Sequence, residues 1–250
     1  RVDRRQRQMC IRDRSYRNPF GPPVLQVASN EADWLLNLSK DEKLTLFAEF
    51  NDQQSTASNI QTKVIGRDSS LEPIVIMTPK SGWWTSTSER GGGITIWLNA
   101  IRHFSENPPL RTIIFTANTG HELSHLGLDH FLENNSSLVQ DAYIWFHLGA
   151  NFAAKDGSVL LQASTQDYMN LIMKEFKHEN IEETQSWPIS KRPLGEARNI
   201  YDGGGEYISL LGSNPLFHNP DDFWPHSIDI EKLEKLNNAM LRIINDIANP

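Results

Sequence analysis

The sequence contains a single cysteine, Cys10, so disulfides cannot hold its fold together. That scarcity does not select a compartment, because many exported proteins also do without disulfides. No window approaches 18 consecutive apolar residues, so nothing in the chain is built to cross a bilayer as a helix. Positive charge is scarce as well: 24 Lys and Arg against 31 Asp and Glu leave a formal net charge of −7. Phosphate recognition needs clustered Lys and Arg, so no nucleic-acid partner is expected. The one basic cluster sits at the front, where RVDRRQRQMCIRDR (residues 1–14) has six Arg and two Asp and almost no apolar content. It matches nothing in the pattern that follows and resembles translated adapter sequence. We set it aside as foreign or as a disordered basic tail, and expect the natural amino terminus and any leader to be missing. Without it the remainder carries about −11.

What is present is ordinary globular composition: 250 residues, 38% hydrophobic and 22% charged, enough for one large domain or one and a fraction. A short strand is expected at Val24–Ala28, a helix at Asn30–Lys40 with Trp34, Leu35 and Leu38 on one face, and a strand at Leu44–Phe50. Further strands are read at Asn59–Ile65, Ile74–Thr78, Thr112–Ala117, Ala142–Leu148, Ser158–Leu161 and Tyr207–Leu211. Between them, Gly91–Gly93 is expected to open a helix with Ile94, Trp97, Leu98 and Ile101 in line. Gln166–Phe176 and Asp229–Ile247 have helical apolar spacing too. Alternation of this kind predicts a three-layer α/β/α sandwich with a mostly parallel central sheet. Gly91–Gly93 and Gly203–Gly205 fit neither a Walker loop nor a dinucleotide fingerprint, and read as glycines for tight turns and close approach.

The organising stretch is Arg111–Phe131, RTIIFTANTGHELSHLGLDHF. A β-rich run stops at Asn-Thr-Gly, and His121 and Glu122 follow at once, where open α/β sheets place their ligands. His121-Glu122-Leu123-Ser124-His125 also spells HExxH, which on a continuous helix would hold zinc between the two His with Glu as base. A helix starting near Glu122 would not put His121 and His125 on one face, and the longer metzincin pattern fails because Gly127 and His130 each come one residue early. This zincin reading with His121, Glu122 and His125 is the weakest of three.

From Ala57 onward the chain resembles the co-catalytic zinc exopeptidases: bacterial leucyl aminopeptidases, glutamate carboxypeptidase II and glutaminyl cyclases. The resemblance runs through TASNIQTKVIGRDSSLEPIVIMT, SERGGGITIWLNAIRHF, FTANTGHELSHLGLDHF and FHNPDDFWPHSIDIEKL, four pieces in the family's order. Residues 15–56 resemble the end of a protease-associated domain with its lead-in strand. The resemblance implies the zinc-exopeptidase (phosphorylase/hydrolase-like) fold over 57–250, hydrolysis of amide bonds in a peptide or small amide substrate, zinc, and export to an extracellular or periplasmic location.

The same comparison shows losses at the active positions. Where the family has His-x-Asp, this chain has Pro79, Lys80 and Ser81. Glu89 matches the bridging Asp, His121 and Glu122 the paired glutamates, His147 the Asp after the next strand, and His218 the last ligand His. One metal would then have lost its first His to Pro79 and have His147 in place of its Asp. The other would keep Glu89, Glu122 and His218, an acceptable zinc shell with an open position. This implies a single-metal site, with Lys80 offsetting the carboxylates near the vacant position and His121 as general base, its ordinary pKa of roughly 6.5 suiting proton transfer near neutrality. The competing class is a non-catalytic pseudopeptidase serving binding or scaffolding, in which His121, Glu122 and Glu89 form a buried network with Lys80 or Arg90. Trp83 and Trp84 follow the altered motif and could wall a substrate pocket. Tyr201, with Asp202 and Glu206, falls where the family builds part of that pocket.

Overall fold

The computed structural model describes residues 29–39, 41–45, 47, 49, 53–182 and 184–250. The chain divides into two units, residues 1–56 and 57–250. In the first, a 3-10 turn at Ser29–Glu31 leads into a short helix, α1 (Ala32–Leu36), with no buried residue. The helix expected over residues 30–40 is thus cut to five residues, with Trp34 and Leu36 exposed. The expected strand at Val24–Ala28 lies outside the described residues, and the described positions within 44–50 form no strand.

The second unit is built on seven strands: β1 (Ile60–Val64), β2 (Ile74–Pro79), β3 (Ile113–Asn118), β4 (Ile144–Leu148), β5 (Val159–Ala163), β6 (Thr184–Ser186) and β7 (Tyr207–Gly212). They lie in the order β1-β3-β2-β4-β7-β5-β6. The centre, β3-β2-β4-β7, is parallel, while β1 joins β3 and β5 joins β7 antiparallel. Every residue of β2 and β4 is buried, which is why both read as unbroken apolar runs. β1 exposes four of its five residues, including Lys63, as a polar edge strand does.

Period-two alternation splits the sheet residues between two cores. Ile74, Ile76, Ile144, Phe146 and Leu148 face α2 (Thr87–Glu106), α5 (Gln166–His178) and α7 (Ile230–Ala248). Val75, Met77, Trp145 and Tyr207 face α3 (Leu126–Glu133), α4 (Leu138–Asp141) and α6 (Ala197–Asp202). The result is the three-layer sandwich that the alternation of elements predicts. The carboxyl end of α7 is stitched to the start of β3, since Ala248 O accepts from Arg111 N at 2.9 Å and Asn249 Oδ1 from Leu110 N at 3.0 Å.

Two helix starts differ from the sequence reading. α2 begins at Thr87, so the glycine triplet lies inside it rather than ahead of it. A Cβ on Gly93 would sit 2.6 Å from Leu148 O and 2.6 Å from Thr78 Oγ1, so these glycines let the helix lie against the strand ends. The buried face accordingly runs through Gly92, Gly93, Ile96, Trp97, Ala100 and Phe104, and Leu98 points outward, 55% exposed. The second difference concerns HELSH. The helix starts only at Leu126, after a 3-10 turn at His121–Leu123 and two left-handed residues, Ser124 (φ 61) and His125 (φ 65).

Candidate functional site

β2, β3 and β4 run in the same direction, so their carboxyl ends share one edge of the sheet, and the polar side chains collect there. Ser81 lies two residues beyond β2, and His121, Glu122 and His125 lie just beyond β3. His147 is on β4 itself. Glu89 and Arg90 come from the first turn of α2, whose start is capped from far along the chain. The Asp222 carboxylate accepts from Ser88 N at 2.7 Å and Glu89 N at 3.0 Å. Glu196, Arg198 and Asn199 come from the start of α6, and His218 from the loop after β7.

Two clusters result. The first is centred on Arg90, which is 3% exposed. Its Nη2 lies 2.9 Å from Glu89 Oε1 and 2.9 Å from Glu122 Oε1, so one nitrogen bridges two carboxylates. Its Nε donates to Ser81 O at 2.6 Å. Ser81 Oγ donates to Glu122 Oε2 (3.1 Å) and accepts from His121 N (3.0 Å). Glu89 Oε1 also lies 3.2 Å from His218 Nε2. His218 is held left-handed (φ 57), its ring stacked on Phe217 at 3.6 Å between centroids. Glu89 Oε2 and Arg90 Nη1 are buried without a hydrogen-bond partner among the described residues.

The second cluster surrounds Glu196, which is 3% exposed. Its hydrogen-bond directions can be worked out from the ends inward. Leu194 N donates to Gln162 Oε1, so Gln162 Nε2 is the end that donates to Ser209 Oγ, at 2.9 Å. Ser209 then donates to His147 Nδ1 (2.8 Å), and His147 Nε2 donates to Glu196 Oε2 (3.0 Å). Glu196 Oε1 takes His121 Nδ1 at 2.6 Å. On the far side, Asn199 Nδ2 donates to Asp129 Oδ1, which turns Asn199 Oδ1 toward His125 Nδ1 (2.8 Å). His125 Nδ1 therefore carries the proton, and its Nε2 lone pair accepts from Arg198 Nη2 at 3.1 Å.

The charge states follow. Burial pushes the His125 imidazole down to about 4; the Glu196 charge opposes this and His121 and Arg198 reinforce it, so His125 is neutral at pH 7. Burial works against ionising Glu196, but the imidazoles of His121 and His125, with hydrogen bonds from His121 and His147, hold its carboxyl well below the usual range. The His121 and His125 rings stack at 5.2 Å between centroids. One ligand atom each from His121, His125 and Glu196 can be chosen within 4.8 Å of one another, a spacing that could hold a metal ion.

Of the residues expected from the sequence, Glu89 and Glu122 meet through Arg90 and His218 reaches Glu89, while His121 and His147 meet on Glu196. The cation between the carboxylates is Arg90 and not Lys80. Trp83 turns its ring edge-on to His218 at 6.5 Å and is 47% exposed. Tyr201 lies on α6, 42% exposed, and has no hydrogen bond with these groups among the described residues. The helix start near Glu122, which would have kept His121 and His125 off one face, is corrected to Leu126. The left-handed pair Ser124–His125 folds the second imidazole back over the first, which no helix starting near Glu122 would do. Glu196, Arg198, Asn199, Ser209 and Gln162 escaped the sequence reading. The available signal for Glu196 was an acid directly after a glycine at a loop-to-helix junction, and Gly195 is indeed left-handed (φ 63), packed on His147.

No family model matches the chain. A vacuolar membrane protease of Candida glabrata is 26% identical over 204 residues, covering 77% of this chain and 21% of the protease. Among solved structures, a zinc aminopeptidase from Bacillus subtilis superposes with a TM-score of 0.65 at 15% identity over 76% of this chain and 50% of its own. The LapA aminopeptidase of Legionella pneumophila gives 0.61 at 11% identity over 77% and 59%. The chain thus spans about a fifth of the curated protease and about half of the aminopeptidases it matches. Residues 57–250 have the peptidase-like α/β/α fold of the zinc aminopeptidases.

Proposed function

We propose that this chain is a peptidase-like amide hydrolase domain with a single metal position, formed by His121, His125 and Glu196. The spacing of those three ligand groups carries the reading. Two imidazoles and one carboxylate with an open position make a catalytic zinc shell. Their charge states suit it: Glu196 is ionised and His125 is neutral with a lone pair at Nε2. The outer partners are in place too, because His147 fixes the second Glu196 oxygen and Asn199 fixes the His125 ring. Loading would require Arg198 to turn off His125 Nε2 and the His121 proton that Glu196 accepts to leave for solvent. Zinc bound there would act as a Lewis acid on an amide carbonyl. His121 serves in this reading as a ligand, and the HExxH pair gains its third ligand, Glu196, from 75 residues downstream of His121.

The ligand set that the family resemblance implies, Glu89, Glu122 and His218, does not fit a metal as it stands, because a guanidinium already lies between the two carboxylates. Pro79 offers no donor, and His147 uses both ring nitrogens. That same guanidinium favours a second reading, a non-catalytic domain that binds peptides or small amides on the peptidase fold. The export implied by the resemblance belongs to either reading.

Elemental analysis of the purified chain, with hydrolysis of aminoacyl and peptidyl amides measured beside it, tests both. About one zinc per chain, lost in His125→Ala and kept in His218→Ala, is expected. Zinc-replete protein that contains none rejects the metal centre. One zinc with no turnover on any amide leaves the binding domain as the reading.

A further inference from the structure

We infer that Arg90 is the resident cation of the pocket formed by Glu89, Glu122 and His218, and that its guanidinium keeps metal out of that position. The geometry is that of a cation in a ligand shell. A single nitrogen, Nη2, is 2.9 Å from one oxygen of each carboxylate, and the imidazole of His218 sits 3.2 Å from the same Glu89 oxygen. Zinc in that place would need both oxygens at roughly 2.0–2.2 Å, and the guanidinium would have to leave. A guanidinium offers no lone pair with which to share the position with a metal. Nor can it easily withdraw: its side chain is 4% exposed, and its Nε is tied to Ser81 O.

The pocket nevertheless retains the means to bind a metal. Glu89 is 1% exposed, and its Oε2 has no hydrogen-bond partner among the described residues. Both carboxylates already lie on one guanidinium nitrogen, with the His218 imidazole against Glu89. Within the single-metal reading proposed above, Arg90 explains why the chain would hold one metal and not two.

The test is zinc stoichiometry by equilibrium dialysis on the full chain, with circular dichroism to confirm folding. Arg90→Ser is expected to bind one more equivalent of zinc than the wild type, and His218→Ala added to it is expected to remove that equivalent. Arg90→Gln, which keeps most of the side-chain bulk, gives the same comparison should the serine variant fail to fold. A folded Arg90 variant with no additional zinc overturns the inference. So does wild-type zinc that disappears in His218→Ala, because the position would then be filled by metal with Arg90 present. Loss of the His121–His125–Glu196 reading shows differently: the wild type would hold none and the Arg90 variants one.

Discussion

Glu196 is 3% exposed and has both carboxylate oxygens committed, one to His121 and one to His147. Removing it leaves two ring N–H groups without their acceptor, His147 fully buried. Glu196→Ala is therefore expected to lower the unfolding free energy of the metal-free protein by about 2–4 kcal/mol. Urea denaturation beside Glu133→Ala, a truncation at an exposed helix position, measures this. At this scale the sequence was only partly readable. Glu89, Glu122, His121, His147 and His218 could be picked out because they match the ligand and base positions of the zinc exopeptidases that the chain resembles. Glu196 could not, because its partners lie 49 and 75 residues away and nothing local marks a carboxylate as buried. Arg90 stood next to Glu89 in the sequence reading as one of two possible cations. Spacing alone could not rank it above Lys80, since the choice depends on which side chain the first turn of α2 points inward.

Elements were easier to read than residues where the apolar signal is continuous. β2 and β4 are buried along their whole length, and so they show as unbroken runs within a residue or two of the observed bounds. Helix starts were harder. α2 has no cap of its own, because Ser86 makes no side-chain capping bond; its first N–H groups are met by Asp222, 134 residues away from Ser88. No local pattern can reveal a cap supplied from that distance. Asp222→Ala is expected to cost about 1–3 kcal/mol, and to loosen the first turn, which carries Glu89 and Arg90. Hydrogen exchange at the Ser88 and Glu89 amides would report it, and unchanged protection there would remove Asp222 from the account. The HELSH segment failed as a helix for a related reason. Two left-handed residues in a row are a tertiary outcome that composition does not announce.

For the whole molecule, the alternation of strands and helices was enough to predict three layers, because each amphipathic element had to find a sheet face to cover. Both cores are built from residues between Val64 and Ala248. A fragment comprising residues 57–250 is therefore expected to unfold cooperatively, with the urea midpoint of the full chain, because every core residue described lies within it. Matched urea midpoints and slopes would bear this out, and a broad or shifted transition in the fragment would count against it.

Ala248 and Asn249 are fastened beside the amino end of β3, whereas His121, Arg90 and their neighbours gather beyond the opposite ends of the same strands. A fluorophore, surface tether or fused partner attached after Pro250 would accordingly leave from the back of the domain. It would leave the approach to the pocket open, which makes that end the one to use for immobilising the protein in a ligand-capture experiment.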